Sequence, residues 1–246
     1  MLKISRSQIL DLLKKLESDK NIYAIWLEGS DAQNRADKYS DIDIWIDVSD
    51  NYVSKAFNLI EKLLKSLGDL DFAYETEHNH PKIRQKFFHI KNTSEFFIID
   101  VCVQKHSRVF WYTSNFKDEK IKTVFDKCNV VKFKKLNKKR FEKENKQKLL
   151  KLKSTFMFYQ VWVKKEINRN HFLEALFQYH EKVLKPLVEL IRIKYEPTKS
   201  SFYLKDISYD IPKKYTKILE DLYKINSIND ISKKLKKANK LYYNLI

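Results

Sequence analysis

The chain has little glycine, few cysteines and no long apolar run. Its two cysteines, Cys102 and Cys128, form no disulfide framework, and neither has the spacing of a metal ligand. The most apolar stretches, such as FFIIDVCV, are far too short to cross a bilayer. The first residues lack the apolar region and cleavage site of a signal peptide. We therefore expect a cytoplasmic protein without a membrane segment.

The composition indicates a folded, strongly basic protein. Hydrophobic residues make up 43% of the chain, which excludes general disorder. A formal net charge of +17 suggests a polyanionic partner such as nucleic acid, or an anionic substrate. Because the lysines are spread along the chain, the composition of an AT-rich genome explains the charge equally well. Both explanations stay open.

The hydrophobic pattern changes near residue 137. Before it, IYAIWLEG, SDIDIWIDV, RVFWYT and NVVKF predict strands, and RQKFFHIK with EFFIIDVCVQ predicts a hairpin. YVSKAFNLIEKLLKSLG predicts an amphipathic helix with Gly68 as its C-cap. After residue 137 we expect two long helices, the second kinked or joined at Pro186, and helices at roughly 215–225 and 228–244. The prediction is an α+β fold with a sheet domain, 1–136, and a helical bundle, 137–246.

Two aspartates lie on one face of the alternating strand SDIDIWIDV. Asp41 and Asp43 project to the same side, because alternate strand residues share a face. Adjacent carboxylates repel each other unless a cation lies between them, and Mg²⁺ prefers such oxygen ligands. Asp100, surrounded by apolar residues in FFIIDVCVQ, is a third candidate ligand that needs a partner. A solvated strand face and a hydrogen-bonded structural aspartate are the plainer alternatives.

A Gly-Ser pair precedes these aspartates. Gly29 and Ser30 follow a predicted strand, and a glycine there lets the backbone approach a phosphate closely. A helix starting at this point would favour the anion, and the Ser30 hydroxyl would add a donor. Gly29 is otherwise an ordinary turn glycine. With the carboxylates, the pair predicts phosphoryl or nucleotidyl transfer.

The segment LEGS…YSDIDIWI, with Asp100 on a later strand, resembles the nucleotidyltransferase superfamily that includes DNA polymerase β and the aminoglycoside nucleotidyltransferases. It is most similar to the streptomycin and aminoglycoside 6-adenylyltransferase-like group, and the similarity extends into the second half at NRNHFLEALFQYHEKVLKPLVELIRIKY. The resemblance implies transfer of a nucleoside monophosphate, AMP from ATP, to an acceptor hydroxyl. It also implies two Mg²⁺ ions bound by Asp41, Asp43 and Asp100, and terminal phosphates held by Gly29 and Ser30.

Three further positions follow from the same resemblance. Glu174 lies where related enzymes place an acid that binds or activates the acceptor, although a solvated helix face is the plainer interpretation. Lys199, in EPTKSSFY, would reach the triphosphate as a mobile charge, or is one of many surface lysines. Asp31 is a departure, because many relatives carry Arg, Tyr or another phosphate-tolerant residue there.

The aromatic residues Phe156, Phe158, Tyr159 and Trp162 follow helical spacing and are predicted to be core.

Three functions compete at this level. The first is adenylyl transfer to a small molecule such as an aminoglycoside-type antibiotic. The second is nucleotidyl transfer to tRNA or a protein in a toxin–antitoxin or phage-defence system, which the positive charge favours because aminoglycosides are polycations. The third is a binding module that kept the fold without catalysis, against which the intact carboxylate set argues. An aminoglycoside site needs local acid, which one patch offers: Asp69, Asp71, Glu75 and Glu77. The sequence allows a monomer or a homodimer.

Overall fold

The computed structural model describes residues 4–114, 116 and 119–246. The chain divides into two compact units, Met1–Leu136 and Asn137–Ile246. The predicted α+β class is confirmed, with a mixed sheet in the first unit and helices throughout the second. Among the described residues, no helix is both long and apolar enough to cross a membrane.

The first unit is built on a mixed sheet with strand order β3-β4-β5-β2-β1-β7 among the described residues. β2 and β5 are parallel, and the other neighbouring strands are antiparallel. A short parallel pair, β6 and β8, lies outside this sheet. The strands are β1 Ile22–Leu27, β2 Ile42–Val48, β3 Leu70–Thr76, β4 Ile83–Ile90, β5 Ile98–Lys105, β6 Tyr112–Thr113, β7 Lys122–Asp126 and β8 Phe133–Lys134. The helices of this unit are α1 Arg6–Lys14, α2 Gly29–Ala32 and α3 Val53–Lys65.

Alternation in β2 and β5 decides which face of the sheet is core. Ile42, Ile44 and Ile46 are buried in one apolar cluster with side chains from α1 and α3, such as Ile9 and Phe57. A period of two sends the intervening residues to the opposite face. That second face carries a smaller apolar cluster around Trp26 and, further along, polar side chains. The strand pattern thus separates a dry face from a face that bears charge.

The structure corrects several details of the predicted elements. α3 ends at Lys65 with Ser66 as its C-cap, so Gly68 is not the C-cap glycine. β3 was not predicted as a strand, although Leu70, Phe72 and Tyr74 alternate with other residues in it; it is an edge strand whose side chains are mostly exposed. β7 was also missed. It has five residues and one well-buried side chain, Phe125, which gives too short a pattern to recognise.

The second unit is helical, and its helices are α4 Lys138–Asn168, α5 Phe172–Tyr179, α6 Lys185–Tyr195, α7 Ile207–Asp210, α8 Lys213–Tyr223 and α9 Ile228–Leu245. A π-helical turn, His180–Leu184, connects α5 to α6 directly before Pro186. Proline has no N–H and clashes with the carbonyl four residues earlier, and a widened turn relieves both problems. The join expected at Pro186 is confirmed.

The aromatic residues of α4 are only partly core. Phe156 is buried and stacks on Tyr242 with ring centroids 3.6 Å apart. Phe158 and Trp162, which were predicted to be core, are 62% and 43% exposed. The prediction failed for these two because the apolar residues of α4 spread over more of the helix surface than its neighbours cover.

Candidate functional site

The parallel register of β2 and β5 places Asp43 directly beside Asp100. Their strand neighbours Ile42, Ile44 and Ile99 are buried in the core on the other face. Asp43 and Asp100 therefore share the charged face, on strands that lie about 4.8 Å apart. The sequence analysis named Asp100 as a candidate partner of Asp43, and the register places the two side by side.

Gly29 is packed against Asp43. Its φ is +58°, and a Cβ atom at this position would lie 1.8 Å from Oδ2 and 2.9 Å from Cγ of Asp43. No side chain can be accommodated at these distances unless Asp43 moves. The glycine therefore allows the backbone at the start of α2 to approach a carboxylate, as well as allowing the left-handed turn.

Glu28 is a further carboxylate on this face, and the sequence analysis missed it. It follows β1, its backbone N–H donates to the Asp43 carbonyl at 3.1 Å, and its position continues the alternation of Trp26. Glu28 Oε1 accepts hydrogen bonds from Trp26 Nε1, at 3.2 Å, and from the Tyr112 hydroxyl. Burial raises the pKa of Glu28, although these bonds and the charge of Arg108 oppose the shift. The two-residue spacing from Trp26 is the signal that could have revealed it.

Asp100 lies in an environment that disfavours its charge. Burial, followed by the charges of Asp41 and Glu28, raises its pKa to about 6. The Gln85 side-chain amide opposes this shift, because Nε2 lies 2.8 Å from both oxygens of Asp100. The carboxylates are therefore close enough to influence one another, as expected when acids gather at one site.

An arginine compensates the acid next to the Gly-Ser pair. Arg6 of α1 forms an ion pair with Asp31, Nη1 to Oδ2 at 2.5 Å. The same guanidinium donates to the carbonyl of Asp41, at 2.8 Å, and to the carbonyl of Ser40. Arg6 thus ties α2 to the residues that lead into β2. The acid that was expected to disfavour a triphosphate has a cationic partner in the folded chain.

Ser30 has an unsatisfied hydroxyl. Its Oγ is buried and has no hydrogen-bond partner among the described residues. Buried polar atoms are rarely left without a partner in proteins. The Ser30 hydroxyl, beside Gly29, is therefore suited to hydrogen-bond a ligand, in keeping with the predicted phosphate contact.

The donor atoms match Mg²⁺ in kind but not in placement. Asp43 and Asp100 offer carboxylate oxygens, the ligands that Mg²⁺ prefers, and Asp41 is exposed one position before β2. Across the described ranges, however, no group of three or more His, Cys, Asp or Glu side chains is arranged to hold a metal ion. A metal shared by Asp41, Asp43 and Asp100 stays a prediction that requires their side chains to converge.

Two predicted site residues belong to the helical unit. Lys199 is 2% exposed, and its Nζ lies 2.8 Å from Oδ1 of Asp210, which also pairs with the buried Arg192 at 3.1 Å. The structure therefore shows Lys199 in a buried ion pair rather than as a mobile surface charge, and nucleotide contact would require that pair to open. Glu174 is exposed in the first turn of α5, and its contact with an acceptor stays a prediction.

Comparisons with known proteins give a distant similarity to a solved structure. No protein-family model matches the chain, and no curated protein matches it. Among solved structures, the chain is similar to an aminoglycoside 6-adenyltransferase from Bacillus subtilis, with 16% sequence identity and a TM-score of 0.38. The match covers 98% of this chain and 89% of that one. At these values the likeness does not decide the activity, which has to be inferred from the residues themselves.

Proposed function

We propose that this chain is a metal-dependent nucleotidyltransferase that transfers AMP from ATP to a hydroxyl of a small molecule, such as an aminoglycoside-type antibiotic. The observation that carries the proposal is the contact between Gly29 and Asp43, in which a Cβ would lie 1.8 Å from the carboxylate. This contact puts the backbone of a Gly-Ser turn against a carboxylate that is paired in register with Asp100.

The residues support a division of roles. Asp43 and Asp100, with Asp41 at the entrance to β2, would hold Mg²⁺, which when bound offsets the charge of a triphosphate. The buried hydroxyl of Ser30 would donate to a phosphate oxygen. Arg6 forms an ion pair with Asp31, which reduces the repulsion between the Asp31 carboxylate and the phosphates. Catalysis in such a site comes from positioning and electrostatic stabilisation rather than from a covalent intermediate.

One observation favours the alternative acceptor, tRNA or another nucleic acid. Two of the four acids that were expected to attract a cationic antibiotic are paired with basic side chains. Asp71 lies 2.6 Å from His89 Nδ1, and Glu75 receives two hydrogen bonds from Arg84, at 2.6 and 2.9 Å. Pairing of these two acids weakens the attraction of the patch for a polycation. We keep nucleotidyl transfer to nucleic acid or protein as the second candidate function.

The test combines binding with transfer. ATP and Mg²⁺ together should raise the melting temperature of the wild-type chain, because a ligand that binds only the folded state stabilises it. The Asp43→Asn variant should lose this stabilisation, whereas Asp11→Asn, an exposed aspartate on α1, should keep it. Labelled ATP with a panel of aminoglycosides, lincosamides and bulk tRNA then identifies the acceptor.

The outcomes separate the candidates. Label on a small molecule supports the first function, and label on tRNA supports the second. A melting temperature that rises equally in the wild type and in Asp43→Asn would refute the site. ATP binding without transfer to any acceptor would favour the binding module.

A further inference from the structure

A second polar network lies on the same face of the sheet, further along β2 than the candidate transferase site. Asp47 is four residues after Asp43 on β2, which corresponds to roughly 13 Å along the strand. It is completely buried, and it accepts hydrogen bonds from Gln104 Nε2 and from His106 Nδ1, both at 2.6 Å. Gln104 is also completely buried, and its Oε1 accepts from Arg108. A buried carboxylate and amide thus link the side chains of His106 and Arg108.

The network holds His106 in one orientation. Besides the bond to Asp47, its backbone N–H donates to the Val48 carbonyl at 2.8 Å, and its ring packs on Tyr23 at a centroid distance of 4.4 Å. Its side chain is nevertheless 46% exposed. Because Nδ1 faces Asp47, the other ring nitrogen, Nε2, is the one available to a ligand, and no described residue forms a hydrogen bond with it. A fixed and accessible ring nitrogen is characteristic of a recognition site.

Arg108 is fixed as firmly. Its guanidinium lies over the rings of Phe110 and Trp45, at 4.6 and 5.5 Å from their centroids, and one terminal nitrogen donates to Gln104. A guanidinium held by stacking loses little freedom when it binds an anion. The side chains of His106 and Arg108 are therefore preorganised by buried groups.

A cavity of about 210 Å³ opens beside these side chains. His106, Arg108 and Lys132 line it together with the aromatic residues Phe110 and Trp111, and none of the described lining residues is acidic. Trp111 is 50% exposed, and Lys134 Nζ lies 6.0 Å from its ring centroid, so a stacked base would share the ring with this cation or displace it. The volume lies below the ~300–1,000 Å³ of a drug-sized pocket, and it therefore suits a phosphate group with one ring at its edge.

We propose that this cavity is a second nucleotide site, in which His106, Arg108 and Lys132 bind a phosphate ester and Trp111 stacks on the attached base. A guanidinium and an ammonium beside an imidazole favour a phosphate, and an exposed tryptophan favours a base without specifying which one. The same chemistry is offered by a free mononucleotide and by one unit of single-stranded nucleic acid. The site is independent of the proposed transferase function, because its residues are distinct from the candidate carboxylates.

The experiment titrates the full chain, without Mg²⁺, with inorganic phosphate, AMP and a fluorescein-labelled single-stranded adenylate pentamer. His106→Gln should weaken AMP binding about tenfold, the loss expected for one hydrogen bond. His89→Gln is the matched control, because His89 makes the same 2.6 Å contact with an aspartate elsewhere in the unit. This control should bind AMP as the wild type does, and so should Asp11→Asn, an exposed aspartate on α1 outside both candidate sites.

Two rim variants keep the test decisive if His106→Gln does not fold. Lys132→Gln changes an exposed side chain and should weaken phosphate, AMP and pentamer alike by several-fold. Trp111→Ala should weaken AMP and pentamer but leave inorganic phosphate unchanged. A pentamer that binds much more tightly than AMP identifies nucleic acid as the ligand, and equal affinities identify the mononucleotide. Absence of AMP binding, or equal weakening by His106→Gln and His89→Gln, overturns the proposal.

Discussion

Replacement of Asp100 by asparagine should stabilise the fold at neutral and alkaline pH. Burial and the charges of Asp41 and Glu28 raise the pKa of Asp100 from 3.8 to about 6. The folded-state pKa is thus above the unfolded one, which is the reverse of an aspartate in a salt bridge. Protonated Asp100 therefore adds to the stability of the folded state below about pH 4, and this contribution is lost as the pH rises through about 6. Above pH 6 the charged Asp100 destabilises the protein, and an asparagine does not.

The expected gain in stability of Asp100→Asn follows from the shift in the pKa of Asp100. Two pKa units correspond to about 3 kcal/mol, and partial exposure of the Asp100 side chain lowers the expected value to about 1–2 kcal/mol by solvent screening. Gln85 offsets part of this gain, because its amide donates to both carboxylate oxygens and an asparagine provides only one oxygen. We expect Asp100→Asn to be more stable than the wild type by about 1 kcal/mol at pH 8.

Urea unfolding followed by circular dichroism, in EDTA and at intervals between about pH 4 and pH 8, measures this difference. The advantage of Asp100→Asn should be greatest at pH 8, fall near pH 6 and disappear near pH 4. Asp11→Asn is the control, because Asp11 is exposed on α1 and the substitution should change little at any pH. A stability difference that does not vary with pH, or a variant less stable than the wild type at pH 8, would contradict this account of Asp100.

Three other predictions follow from individual contacts. Gly29→Ala should destabilise the wild type by about 2 kcal/mol or more. The loss should be smaller in an Asp43→Ala background, where only the Cβ of residue 43 remains, 3.6 Å from the new Cβ. Equal losses in a double-mutant cycle would disprove the contact. Lys199→Met should lower the free energy of unfolding in urea by about 2–4 kcal/mol, because it removes a buried partner of Asp210. An unchanged urea midpoint together with weaker ATP binding would instead support a nucleotide contact. Arg6→Ala should lower the free energy of unfolding by about 2 kcal/mol, and Arg6→Lys by about half of that, because a lysine cannot bind the Asp31 carboxylate and two carbonyls together. Equal stability of the two variants would argue against this bridging by the guanidinium.

The strands that carry the candidate site were predictable, whereas the groups around it were not. The alternation of apolar residues in β2 is local information, and it places Asp43 on the face opposite Ile42 and Ile44. Arg6, by contrast, meets Asp31 across 25 residues, and Gln85 meets Asp100 across a hairpin whose register depends on its turn. No periodic pattern records which side chain of one element meets which of another. Partners of this kind follow only from the three-dimensional register.

The backbone conformation alone does not explain why a chain with two glycines has one at position 29. The same left-handed region is occupied by Asn34, Asn92 and Asn170, with φ values of 55°, 65° and 58°, close to the 58° of Gly29. These asparagines carry a Cβ, so this chain tolerates a side chain at such a φ. What differs at Gly29 is its neighbour, since only there would the Cβ lie 1.8 Å from a carboxylate oxygen. The glycine is therefore required by the close approach of backbone and Asp43, a property of the candidate site rather than of the turn.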